Sequence, residues 1–161
     1  MNDPINVGLG ERVISADPAD VLVAYGLGSC LGISMYDPVR RLCGMIHAVL
    51  PQRMNGAEPD SARFVDSGIE GLIHEMERRG ADPRRSIFRM AGGANMLLAS
   101  GVSHTFDIGT RNIESALRTF QRLGIVLKSK DVGGNLGRTV RLYVADGRMT
   151  VRILNGKEQE L

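Results

Sequence analysis

The first third of the chain is built from apolar runs with the period of strands. Residues 21–25, 31–36 and 42–50 are rich in β-branched and apolar side chains, the composition of strands that bury at least one face. Asp37-Pro38 separates the second run from the third and is a turn signal, so these two are expected to form a hairpin. Residues 51–59, polar and closed by proline at both ends, read as a loop. The period then changes. Within residues 60–79, Val65, Ile69, Leu72, Ile73 and Met76 recur at helical spacing, and Gly80 supplies a stop. Ile113, Ala116, Leu117, Phe120 and Leu123 repeat that pattern, ended by Gly124. Between the helices, residues 86–90 read as a strand running into Ala91-Gly92-Gly93-Ala94. Strand periodicity returns over residues 125–130, 139–144 and 148–154. The last two are expected to pair across Ala145-Asp146-Gly147, where Asp-Gly is a strong hairpin cue.

The order strands, helix, strand, helix, strands argues for a layered α+β sandwich with mixed, largely antiparallel sheets and two main helices, not a regularly alternating parallel fold. At 161 residues the chain is most simply one domain spanning 1–161, large enough to form a core without disulfides or metal. No internal repeat or low-complexity segment interrupts it.

Composition narrows the function more than the fold. Charged residues are 24% of the chain and the net charge is +2, but the arginines come in singles and pairs such as Arg40-Arg41, Arg78-Arg79 and Arg84-Arg85. Without a basic arm, and with no Trp, three Tyr and four Phe to stack on bases, nucleic-acid binding has little support. No window approaches the length of an apolar membrane span, and residues 1–10 lack the apolar core of a secretion signal. Cytoplasmic residence is therefore expected, with Cys30 and Cys43 reduced rather than bridged.

The segment Tyr25-Gly26-Leu27-Gly28-Ser29-Cys30 places a cysteine directly behind a glycine-rich turn, and His47 follows in an otherwise apolar strand. A thiol presented by a turn, with an imidazole in reach, is the minimum equipment of a cysteine-nucleophile hydrolase. The plainer reading of His47 is a core histidine held by a backbone group, and the residues alone lean that way. Cys43 reads as a small buried apolar side chain. It lies four strand residues from His47, roughly 13 Å along a strand, so the two cannot share a metal; with no Cys-x-x-Cys or His-x-x-x-His elsewhere, a zinc site is disfavoured. His74 falls off the apolar stripe of the first helix and reads as solvated, and His104 lies in a segment without an evident partner. Gly26-Leu27-Gly28, Gly92-Gly93 and Gly133-Gly134 all fail the full nucleotide-loop patterns, and tight turns or close backbone packing explain them more simply.

Taken in order, these residues resemble the CheD family of chemoreceptor glutamine deamidases. The resemblance rests on Gly26-Leu27-Gly28-Ser29-Cys30, Tyr36-Asp37-Pro38, His47 with Leu50-Pro51, Gly92-Gly93-Ala94, Ile108-Gly109 with Asn112, and Asp131-Val132-Gly133-Gly134 with Arg138. It implies hydrolysis of side-chain amides of particular glutamines on methyl-accepting chemotaxis receptors, with Cys30 as nucleophile, His47 as base and no metal or organic cofactor. It also implies a fold similar to the catalytic domain of the cytotoxic necrotising factor toxins, and a CheC-type phosphatase as a second partner. In that chemistry the Gly28-Ser29-Cys30 turn would supply backbone donors to the developing oxyanion.

One departure stands out. The family's third catalytic position, a threonine six residues before the cysteine, is Ala24 here. Ala24 has no oxygen with which to orient an imidazole, and Tyr25 faces the other side of its strand. The expectation is that a cysteine–histidine pair, already partly thiolate–imidazolium, depends less on such a residue than a serine triad does, or that a backbone carbonyl or another side chain holds the ring. The alternative is a CheD-like binding module whose chemistry has weakened.

Overall fold

The computed structural model describes residues 2–96 and 107–161. Its elements in chain order are β1 (Ile5–Asn6), β2 (Arg12–Ser15), β3 (Val21–Leu27), β4 (Leu31–Asp37), β5 (Leu42–Ala48), α1 (Val65–Arg78), β6 (Ile87–Gly92), α2 (Ile108–Leu123), β7 (Ser129–Val132), β8 (Arg138–Tyr143), β9 (Met149–Ile153) and β10 (Glu158–Glu160). They form an α+β protein with two mixed five-stranded sheets. The first sheet runs β1-β3-β8-β9-β10 and the second β2-β5-β4-β6-β7. Neighbours pair antiparallel except β1 with β3 and β6 with β7, which are parallel.

Burial along the strands reveals the layers. Every residue of β4 and β5 is buried, because one face meets the helices and the other meets the first sheet. Leu31, Ile33, Met35, Ile46 and Ala48 share a core with Leu72 and Met76 of α1 and Phe120 of α2. The alternate residues Tyr36, Cys43 and Met45 join Leu22, Ala24, Val140 and Leu142 of the first sheet in a second core. β8, by contrast, alternates strictly between buried and half-buried positions, the signature of a sheet with one covered face. The order is helices, second sheet, first sheet.

The β4–β5 hairpin forms as the Asp37-Pro38 signal implies, with Asp37 opposite Leu42. The β8–β9 pair closes across the Asp-Gly turn. Boundaries differ where tertiary pairing competes with local pattern. The first helix begins at Val65, not near residue 60, because the preceding residues bond to the end of β5: Arg63 O accepts from Val49 N at 2.8 Å and Leu50 O accepts from Val65 N at 2.8 Å. Phe64 is consequently extended, with φ −109° and ψ 142°. The strand expected over 125–130 sits at Ser129–Val132, since α2 ends on Gly124 in a left-handed conformation and the chain then has to reach the edge of β6. β1, β2 and β10 escape the periodicity reading altogether. They are two to four residues long and owe their existence to a neighbouring edge. No described helix is long and apolar enough to cross a membrane.

Candidate functional site

The turn before β4 is fixed at three successive carbonyls. Gly28 O accepts from Ala94 N at 2.8 Å, Ser29 O from Asn112 Nδ2 at 2.9 Å, and Cys30 O from Gly93 N at 2.9 Å. β3 enters this turn through a register shift between Ala24 and Leu27, with Gly26 at φ 60°. The Gly92-Gly93 pair explains itself here as close backbone packing. Gly92 has φ 117°, and a Cβ on it would lie 2.1 Å from Cys30 O. Arg138 braces the same corner from the other sheet, donating to Gly92 O at 3.0 Å and Gly133 O at 2.8 Å.

His47 sits opposite Gly32 in the β4–β5 ladder. A Cβ at Gly32 would meet Val140 Cγ2 at 3.1 Å and Leu27 Cδ1 at 3.2 Å, so that face looks into the space between the sheets. Cys30 packs against the same inter-sheet core. The β4–β5 ladder ends with Leu31 opposite Ala48, so Cys30 stands one residue before its end and His47 one residue inside it. The structure thus places both sequence-selected residues beside the space between the sheets.

Among the described residues, the imidazole is held at one nitrogen. His47 Nδ1 lies 2.9 Å from Val7 O. A carbonyl oxygen can only accept, so Nδ1 carries a proton, and in the neutral ring the lone pair is on Nε2. His47 is buried and, among the described residues, Nε2 has no hydrogen-bond partner, whereas a core histidine retained purely for packing is expected to have its buried polar atoms satisfied. Val7 is itself anchored, its N–H donating to Val23 O at 2.8 Å. The backbone of His47 is pinned by Gly10 N on its carbonyl and Glu11 O on its N–H.

Ala24 is fully buried in the inter-sheet core and Tyr25 is half exposed, in line with their opposite facing. The orienting contact comes from Val7 instead. A carbonyl is present in every residue, so no sequence signal could have singled it out. Asn112 was legible as a family anchor but not as a clamp. Its Nδ2 donates both to Ser29 O and, at 3.0 Å, to Val49 O, tying the Cys30 turn to the strand end that follows His47. The clue lies in α2, where Gly109, Asn112, Ser115 and Thr119 are buried, a small and polar stripe where apolar residues would ordinarily sit.

The two thiols differ in environment. Burial raises the pKa of Cys30, offset in part by its own backbone N–H. That direction favours the thiol over the thiolate, against the partly thiolate–imidazolium pair expected from the sequence. Cys43 is fully enclosed; burial first, then the charge of Asp146, pushes its pKa up to about 12 against the opposing pull of Arg89. It is a core residue, as its sequence context implies. His74 is exposed on α1, and His104 lies outside the described residues.

Fold and site together define a class: a two-sheet α+β protein that sets a partly exposed thiol and a half-satisfied imidazole beside the space between its sheets. Comparison with known proteins then specifies the family. The profile described as CheD chemotactic sensory transduction matches residues 49–153, a stretch that starts two residues beyond His47. Relatives extend the likeness over nearly the whole chain. A protein of Archaeoglobus fulgidus is 43% identical over 98% of this chain and 98% of its own length. One from Symbiobacterium thermophilum is 41% identical over 96% and 95%, and one from Thermococcus kodakarensis 39% over 95% and 95%. All three carry the name "Probable chemoreceptor glutamine deamidase CheD". The chain belongs to the CheD family.

Proposed function

We propose that this protein is a chemoreceptor glutamine deamidase, converting side-chain amides of receptor glutamines to glutamate and ammonia. Cys30 is the nucleophile and His47 the base. The observation that carries this reading is the tether of His47: Nδ1 is bound to Val7 O while Nε2 is buried and, among the described residues, unpartnered, and Cys30 packs on the inter-sheet core that His47 faces.

The chemistry follows from that geometry. Because burial favours the thiol, proton transfer to Nε2 accompanies attack of sulfur on the amide carbon. The C–S bond forms as the carbonyl π pair moves onto oxygen. Three turn carbonyls are committed to Ala94, Asn112 and Gly93, and N–H groups of the Gly28-Ser29-Cys30 turn serve as donors to that oxyanion. Collapse of the intermediate breaks the C–N bond, and His47 returns its proton to the departing ammonia. Water then attacks the thioester with His47 as base, releasing glutamate and regenerating the thiol.

The same reading covers a single domain over 1–161, a cytoplasmic location, a catalytic fold related to the necrotising factor toxins, and a CheC-type phosphatase competing for the receptor-binding surface. The binding-module alternative draws on Ala24, but the Val7 carbonyl supplies the orienting contact that Ala24 lacks. Incubating receptor cytoplasmic domains with the protein and following glutamine-to-glutamate conversion by mass spectrometry tests the proposal. Unchanged glutamines under conditions where the two proteins bind would favour the module.

A further inference from the structure

Both helices pack on the second sheet, so no described helix covers the outer face of the first. At the end of that face beside the nucleophile turn lies a groove of about 590 Å³. Thr139 and Arg141 of β8 line it together with Arg152 of β9. Tyr25, Met96 and Leu154 rise around it, 50%, 51% and 75% exposed, an unusual grouping of apolar side chains in water. Gly28, two residues before Cys30, forms one end; a Cβ there would touch Met96 Cγ at 3.5 Å.

The charge of this groove has one sign. Arg138, Arg141 and Arg152 line it and, among the described residues, no carboxylate does. Arg138 is consumed by Gly92 O, Gly133 O and, at 3.4 Å, Asp131. Arg141 and Arg152 form no salt bridge among the described residues; Arg152 uses Nε on Gly156 O at 3.2 Å. The adjacent Glu158 stands opposite Arg152 and feels the charge of Arg141, while its oxygen accepts from Thr150 and Tyr143.

We propose that this groove docks the substrate polypeptide, as an amphipathic acidic segment. Its apolar side chains seat on Tyr25, Met96 and Leu154, its carboxylates meet Arg141 and Arg152, and its target glutamine passes Gly28 to reach Cys30. The identity of the occupant rests on the deamidase reading. Apolar anchors interleaved with two cations suit such a segment better than a nucleic acid, which would ask for a longer run of phosphate contacts. Each turnover exchanges an amide for a carboxylate, so a segment with several target glutamines becomes more complementary to the arginines as it is processed.

Calorimetric titration of the Cys30→Ala protein with a purified chemoreceptor cytoplasmic domain measures docking without turnover. Arg141→Glu with Arg152→Glu should weaken binding by about tenfold or more at low salt, and Tyr25→Ala by about tenfold. Added salt should weaken the parent complex. Arg152→Glu alone, at an exposed position, guards against a folding effect at Arg141, and melting temperatures report the fold of each variant. Affinities within about twofold of the parent, no binding by the parent, or a groove-dependent homodimer would each overturn the proposal. Ammonia release by the unmodified chain from the same receptor domain reads the deamidase assignment separately. Groove-dependent binding without ammonia would remove that assignment and leave the docking site standing.

Discussion

The imidazole of His47 donates from Nδ1 to the carbonyl oxygen of Val7, 2.9 Å away, across the gap between the two sheets. Val7 follows directly on β1, which pairs with β3, and His47 belongs to β5 of the other sheet. The ring orientation is therefore a property of how the sheets stack, not of either strand. The fixed tautomer turns Nε2 into an acceptor, the state a general base requires.

This bond sets the expected behaviour of Ala24. Adding a hydroxyl at that position should leave kcat within a few-fold of the parent, because Val7 already orients the ring. Ala24 is fully enclosed, so Ala24→Thr forces extra volume into a packed core and should cost roughly 1–3 kcal/mol of stability. Denaturant unfolding and steady-state kinetics check the two halves. A tenfold rise in kcat would show that the Val7 contact is insufficient.

Cys30→Ala and His47→Ala should each abolish ammonia release while leaving a folded protein. Cys43→Ala should retain turnover and lose roughly 1 kcal/mol from the small cavity it leaves. Thiol labelling discriminates the same residues. With the Cys30 pKa raised, iodoacetamide should react slowly near neutrality and faster as pH climbs past the usual thiol range, with Cys43 modified last. Rapid Cys30 labelling at pH 7 would mean the resting group is a thiolate after all.

Asn112 should control activity through its two donated bonds. Asn112→Ala leaves the Ser29 and Val49 carbonyls without this donor, at roughly 1–3 kcal/mol for each one buried. Asn112→Asp is nearly isosteric but turns an anion toward two carbonyl oxygens. It should depress kcat by about tenfold or more near neutral pH and recover partly on acidification, as the carboxyl gains a proton to donate. A pH–rate profile parallel to that of the parent would reduce Asn112 to a packing role.

Acid should weaken the β4–β5 turn. Asp37 is fully enclosed; burial alone would raise its pKa, but Arg85 and the backbone N–H groups of Asp82, Arg40 and Val39 hold it at about 2. The folded value lies below the ordinary carboxylate value, so its stabilisation is present above about pH 4 and disappears as pH falls toward 2. The difference amounts to about 2 kcal/mol. Asp37→Asn should remove most of the corresponding slope from stability measured against pH, and an unaltered slope would assign it to other carboxylates.

Much of this arrangement is legible without coordinates. Periodicity locates the strands at the cores of β3, β4, β5, β8 and β9 and both helices, since each has a run long enough for its pattern to repeat. The cysteine behind its glycine turn, the histidine in an apolar strand and the Asp37-Pro38 and Asp146-Gly147 turns are equally local. Tertiary structure decides what remains. β1, β2 and β10 are too short to carry a period and exist only because a sheet edge accepts them, while α1 starts late because residues 63–65 pair with the end of β5. Above all, the roles of Val7 and Asn112 depend on which backbone carbonyl meets which side chain. Carbonyls are chemically the same at every position along the chain, so only the stacking of two sheets and a helix could select Val7 O for His47, and Ser29 O and Val49 O for Asn112.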